Sequence, residues 1–164
     1  MIRQLSVMVL LLVTFSASAD ISGRIVRVLD GDTVEVLETG NRLTRVRLAG
    51  IDAPEKSQPF GQRSRQELTS MVAQRNVTIT GEETDRYGRR LGTVWLGATD
   101  VNAAQIRKGL AWVYRYHGKP ARTDYAQLEA EARRQGAGLW SVPGQTEPWR
   151  WRSQHQDRGF VRPR

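Results

Sequence analysis

The sequence predicts an α+β domain, mainly β: a five-stranded barrel of OB type with about three helices packed on it. Two observations carry this. Up to residue 48 the chain alternates apolar and polar residues between turn signals, as half-buried strands do. Beyond residue 60, helical spacing closed by glycines is interleaved with two further short strands.

The elements follow in order. Arg24 to Leu29 and Thr33 to Leu37 read as strands around Asp30-Gly31, a dipeptide that favours a tight hairpin. Val34 and Val36 alternate with Thr33 and Glu35, giving the second strand one apolar face. A turn at Thr39-Gly40-Asn41 leads into Leu43 to Leu48, with Val46 and Leu48 on one face and Arg45 and Arg47 on the other. A helix over Gly61 to Gln74 carries Leu68, Met71 and Val72 as its stripe, and Val77 to Thr80 alternates as a strand. Leu91 to Leu96 is a strand entered from a Tyr87-Gly88 turn. Asp100 is placed to cap a short helix over Val101 to Lys108, stopped by Gly109. Asp124 with Gln127 has the spacing of a capping box for a third helix, whose stripe is Tyr125, Leu128 and Ala132 and which Gly136 and Gly138 end.

Two segments stand apart from this domain. Residues 1–19 read as a secretory signal peptide: Arg3 is the only charge, Leu5 to Phe15 is mostly apolar, and Ala17-Ser18-Ala19 precedes Asp20 as a cleavage site. The apolar run is shorter than the roughly 20 residues of a membrane span, so an exported protein without stable membrane insertion is expected, in a periplasm or the medium. Residues 20–140 form the domain, and 141–164 a basic tail in which Pro143, Gly144, Pro148 and Pro163 break regular structure. The tail's Trp149-Arg150-Trp151-Arg152 interleaves rings and charges. It could stack on bases and pair with phosphates, or pack its tryptophans on the barrel and leave its arginines solvated.

Composition narrows the chemistry. With 25 Lys and Arg against 17 Asp and Glu, the formal net charge is +8, which suits nucleic acid, a membrane surface or a cell-wall polymer. The absence of cysteine removes disulfides, and with only His117 and His155 a site built from several imidazoles is excluded. Three short motifs hold the remaining reactive groups: Asp30-Gly31-Asp32-Thr33-Val34, Arg47 to Glu55, and Asp85-Arg86-Tyr87-Gly88-Arg89. Asp32 opens one strand and Asp52 lies in a loop just beyond the end of another, so their carboxylates converge and need a cation or an arginine between them. With oxygen ligands alone, that cation is hard: calcium or magnesium. Pro54 fixes the backbone ahead of Glu55, and Arg47 and Arg89 offer planar forks that fit two phosphate oxygens at once. This inventory suits attack of water on a phosphodiester, where negative charge builds on the phosphoryl oxygens.

These motifs, in this order, resemble the thermonuclease (staphylococcal nuclease-like) family from about Ser22 to Trp140. The resemblance implies a calcium-dependent endonuclease of DNA and RNA with little sequence preference, cutting on the five-prime side of phosphorus and leaving three-prime phosphates. It implies Ca2+ on Asp32, Asp52 and the backbone carbonyl of Ala53, where the best-known member has a threonine. It makes Glu55 the residue that activates or orients water, and Arg47 and Arg89 the catalytic arginines. General-base action by Glu55 does not follow from sequence, since a solvated glutamate is a weak base. Arg86 and Tyr87 match positions that contact a substrate phosphate. Tyr114 and Tyr116 resemble tyrosines lining the base and phosphate pocket, in a segment one residue shorter here, with core packing as the other reading. The loop from Lys56 to Gly61 is also shorter than in the best-known member. A monomer is expected. The other readings are a non-catalytic OB-fold nucleic-acid-binding protein, which has no need for this set of acids and arginines, and a cell-wall or membrane binder, which leaves the carboxylates unexplained.

Overall fold

A computed structural model describes residues 20–156; the signal-peptide reading of residues 1–19 and the end of the tail lie outside them. The strands are β1 (Ile21–Val28), β2 (Thr33–Glu38), β3 (Leu43–Leu48), β4 (Ile51–Asp52), β5 (Asn76–Thr80), β6 (Arg90–Leu96), β7 (Thr99–Asp100), β8 (Trp112–Val113), β9 (Arg115–Tyr116) and β10 (Lys119–Pro120). The helices are α1 (Gly61–Val72), α2 (Val101–Arg107), α3 (Thr123–Arg134) and α4 (Pro148–Gln156). β3-β2-β1-β5-β6 run side by side, and a parallel pairing of β3 with β6 closes them into a five-stranded barrel of OB type. Among the described residues no helix is long and apolar enough to cross a membrane.

The alternation of the strands is what fills the barrel. Ile25, Val34, Val36, Val46, Leu48, Ile79 and Val94 are all fully buried, and the helices press Leu68, Val72, Ile106 and Tyr125 onto the same core. At about 1.5–3 kcal/mol for each large aliphatic side chain removed from water, this cluster is the main force behind closure. The second face of β2 is covered as well: Thr33 and Glu35 are buried, and Glu35 is clamped by Arg27 at 2.7 Å and Arg45 at 2.8 Å. Burying that carboxylate is tolerated because its oxygens are met by guanidinium groups.

Two expected features differ. Asp124 does not cap α3; it pairs with Arg122, at 2.5 Å from Nη2, because a formal charge within reach competes better than a backbone amide. The tail is not irregular through Pro148, since that proline opens α4. The first helical turn leaves its N–H groups unbonded in any case, and the fixed φ of proline suits that position. Asp100 caps α2 as expected, accepting the Ala103 N–H at 2.8 Å.

Candidate active site

Strand register brings the three motifs together. Pairing of β2 with β3 sets Thr33 opposite Arg47, and the Leu48 N–H donates to the Asp32 carbonyl at 2.8 Å, so Asp32 lies beside the end of β3. Parallel pairing of β3 with β6 sets Arg47 opposite Leu91, which carries Arg89 to the same end of the barrel. Pairing of β4 with β8 pins Asp52 opposite Trp112. The outcome is one cleft of about 1030 Å³ whose walls include Asp32, Arg47, Asp52, Ala53, Glu55 and Arg89.

The turn that holds Asp32 depends on close approach. Gln105 Nε2 donates to the Gly31 carbonyl at 2.8 Å, and Ser64 Oγ donates to the Leu110 carbonyl at 2.7 Å, so α1 and α2 grip the loop from behind. A β-carbon on Gly31 would lie 1.9 Å from Ser64 Oγ and 2.8 Å from the Ala53 β-carbon. The glycine of Asp30-Gly31 is therefore required by the helix packed behind it. Gly31→Ala should lower stability by about 1–3 kcal/mol in urea unfolding; wild-type stability would mean the turn shifts without resistance.

Asp32 and Asp52 are 6 % and 1 % exposed. Arg47 lies between them, with Nη2 at 3.1 Å from Asp32 Oδ2 and 2.9 Å from Asp52 Oδ1. Its Nη1 donates to the carbonyls of Leu48 and Ile51, both at 2.9 Å. Asp32 also accepts the Ala53 N–H at 2.6 Å. Burial pushes the Asp32 carboxyl up to about 8; Arg47 and the Ala53 N–H oppose this, and the charges of Asp30 and Asp52 add to it. Two carboxylates buried side by side, with oxygen donors alone, suit a hard cation. Among the described residues no cluster of three or more Asp, Glu, His or Cys is spaced to hold an ion alone. An ion here would complete its shell with backbone oxygen and water, as calcium commonly does.

Arg89 is presented by a turn built on Asp85, whose Oδ1 accepts the N–H groups of Tyr87 at 2.9 Å and Arg89 at 3.0 Å. Gly88, at φ 77°, lets that turn close. Asp85 Oδ2 then receives Arg89 Nε at 2.7 Å, leaving the terminal nitrogens as the part of the fork available to a ligand. Arg86 stacks on the Tyr87 ring at 4.8 Å, and both line the cleft, as does Tyr114. Tyr116 is not brought there. It is 67 % exposed in the β9–β10 hairpin, edge-on to His117, because the register of that short hairpin turns it away.

Sequence reasoning missed Arg152. It reaches in from α4, placing Nη2 at 2.9 Å from Asp52 Oδ2, and Nη1 at 3.2 Å from Asp52 Oδ1 and 2.7 Å from Glu55 Oε1. The solvated-arginine reading of the tail is thereby corrected for this residue, although Arg150 is exposed. Burial alone would lower its pKa, but the hydrogen bonds and charges of Asp52 and then Glu55 hold it above the ordinary arginine value. Because one nitrogen touches both acids, the Glu55 and Asp52 carboxylates are neighbours. Gln58, also missed, fixes the Glu55 loop: its Oε1 accepts the Glu55 N–H at 3.0 Å and its Nε2 donates to the Thr146 carbonyl at 2.6 Å.

Residues 45–142 match the sequence profile of the family described as Staphylococcal nuclease homologue. A protein of Shigella flexneri called micrococcal nuclease is 47% identical over 161 residues, covering 92% of this chain and 91% of its own. Protein ParB of Escherichia coli is 45% identical over 96% of this chain and 94% of its own length. An uncharacterized endonuclease of Escherichia coli O157:H7 is 47% identical over 82% of this chain and 86% of its own. By these matches the chain belongs to the staphylococcal nuclease family of nucleases.

Proposed function

We propose that this protein is an exported, calcium-dependent endonuclease that hydrolyses phosphodiester bonds of DNA and RNA with little sequence preference and leaves three-prime phosphate ends. The observation that carries the reading is the convergence of Asp32, Asp52, Glu55, Arg47 and Arg89 in one cleft, two arginines and an acid beside a buried acid pair. The names of the Shigella and Escherichia relatives, a micrococcal nuclease and an endonuclease, support nucleic acid as the substrate. Export rests on the pattern of residues 1–19.

The chain's own groups divide the work. Asp32 and Asp52, with the Ala53 carbonyl, would hold the cation, which supplies positive charge to a phosphoryl oxygen. Glu55 orients the attacking water and takes up its proton as the new oxygen–phosphorus bond forms. The bond from phosphorus to the five-prime oxygen breaks, and that oxygen leaves with a proton taken from solvent water. Arg89, steadied at Nε by Asp85, turns its terminal donors toward the phosphoryl oxygens. Arg47 contributes a fixed positive charge at the same end of the barrel. These donors are set before the substrate arrives, so little reorganisation is needed as charge develops. Arg86 and Tyr87 border the cleft as a contact for a neighbouring phosphate and base.

Digestion of plasmid DNA, single-stranded DNA and RNA should occur with calcium, stop in excess chelator and return when calcium is restored. Full activity in chelator would overturn the cation assignment. Fragments should resist extension by a polymerase until treated with a phosphatase; immediate extension would overturn the three-prime phosphate assignment.

A further inference from the structure

The counter-charge on the buried acids comes from two arginines held in different ways. Arg47 is fixed: its side chain is 15% exposed and its Nη1 is bonded to two backbone carbonyls. Arg152 is 40% exposed and all its contacts here are to carboxylates, both oxygens of Asp52 and Oε1 of Glu55. Asp52 Oδ1 is shared by Arg47 and Arg152, whereas Oδ2 is bonded by Arg152 Nη2 at 2.9 Å, so a divalent cation on Oδ2 meets the Arg152 guanidinium directly and its double charge repels it. Of the two arginines, Arg152 is the more exposed and the one without a backbone acceptor among the described contacts.

α4 is built to allow this movement without loss of the chain's path. The stretch before it is tied by the Gln58 bond to Thr146, and Pro148 is buried, so the start of the helix is anchored to the loop that carries Glu55. Beyond that anchor, Trp149, Trp151 and Arg152 are half-buried, while Arg150 and Ser153 are exposed. The ion pair of Arg152 is the charged link between the outer part of the helix and the barrel.

We propose that α4 is a lid on the active site, latched by Arg152, and that Arg152 competes with the divalent cation for Asp52 while pairing with Glu55. Cation loading releases the latch, frees the Glu55 carboxylate from its ion pair and opens the cleft for a polynucleotide. The proposal rests on the assignment of a cation to Asp32 and Asp52. Linkage makes the effect reciprocal: the factor by which the cation loosens α4 is the factor by which loss of Arg152 tightens the cation.

The test is calorimetric titration of calcium into the full mature chain without nucleic acid, for wild type, Arg152→Ala, Arg152→Gln and Arg150→Ala. Arg150→Ala removes the same charge from the exposed side of α4 and controls for a general change in field. The Arg152 variants should bind calcium about tenfold or more tightly than both wild type and the control. Thermal melts establish that each variant is folded, and the Gln variant keeps side-chain bulk that Ala removes. In wild type, calcium should also speed hydrogen exchange across residues 148–156; in Arg152→Ala that segment should exchange fast with or without calcium. Equal affinity in the Arg152 and Arg150 variants would overturn the latch while leaving the cation assignment standing. Weaker calcium binding in Arg152→Ala would also overturn it, and would make the arginine a supporting group of the site. Absence of calcium binding in every protein would overturn the cation assignment and the latch with it.

Discussion

Glu55→Gln should leave the fold and nucleic-acid affinity near wild type while cleavage falls by roughly two to four orders of magnitude. The substitution keeps the size of the side chain and its capacity to accept from Arg152, but removes the charge that polarises the water. The fold is insulated from the change because Gln58 holds the loop through the Glu55 backbone N–H, whatever becomes of the side-chain contact to Arg152. Affinity rests on the arginines and the basic field and should weaken as salt rises. A salt-controlled binding titration beside a single-turnover assay on one labelled oligonucleotide separates the two effects. Equal cleavage by both proteins would remove Glu55 from the mechanism. Tight salt-dependent binding with no cleavage by wild type would make the chain a binding module.

What the sequence made legible is what local rules govern. Period-two alternation located the barrel strands, since a residue such as Val46 or Leu48 must face inward if its neighbour Arg47 faces out. The acids and arginines stood out because each sits inside a short motif that resembles the family's, and the roles given to Glu55, Arg47 and Arg89 are what that resemblance implies. Arg152 was hidden for the opposite reason. Nothing in Trp149-Arg150-Trp151-Arg152 distinguishes the arginine that enters the cleft from the one that stays in solvent. That choice is made by helical phase, and the phase is set by Pro148 and by the Gln58 contact to Thr146, from a residue 88 positions away. Glu129 was hidden in the same way. No sequence motif singles it out on α3, and it is 3% exposed, accepts the Val113 N–H at 3.0 Å and pairs with Arg115 at 2.5 Å. Asp124 shows local rules overridden, because the same residue type that caps helices took a nearby guanidinium instead. Tyr116 shows their limit: resemblance supplied a role, and the register of a two-residue strand turned the ring elsewhere.

Arg47→Lys should lose on the order of a hundredfold or more in cleavage, because the ammonium cannot hold Asp32 and Asp52 in the preorganised arrangement that the fork gives them. The sequence alone placed this side chain away from the core and implied that folding would be indifferent to it. The structure adds a cost to stability. The two terminal nitrogens of Arg47 serve four acceptors, two carbonyls and two buried carboxylates, in a planar arrangement. A single ammonium has three donors around one atom and cannot span that set, so at least one buried oxygen is left poorly met. A loss of about 1–3 kcal/mol is expected, with the folded state retained. Arg89→Lys makes the comparison. That arginine is bonded through Nε to Asp85 alone, in an exposed turn. It should therefore match the loss in cleavage while changing stability by less than about 1 kcal/mol. Urea unfolding and single-turnover cleavage of both variants give the four numbers needed. Wild-type stability in Arg47→Lys would mean that the four contacts do not hold the loop. Wild-type cleavage in either variant would remove that arginine from the reaction, because a group that only shaped the ground state would reveal itself in unfolding and not in turnover.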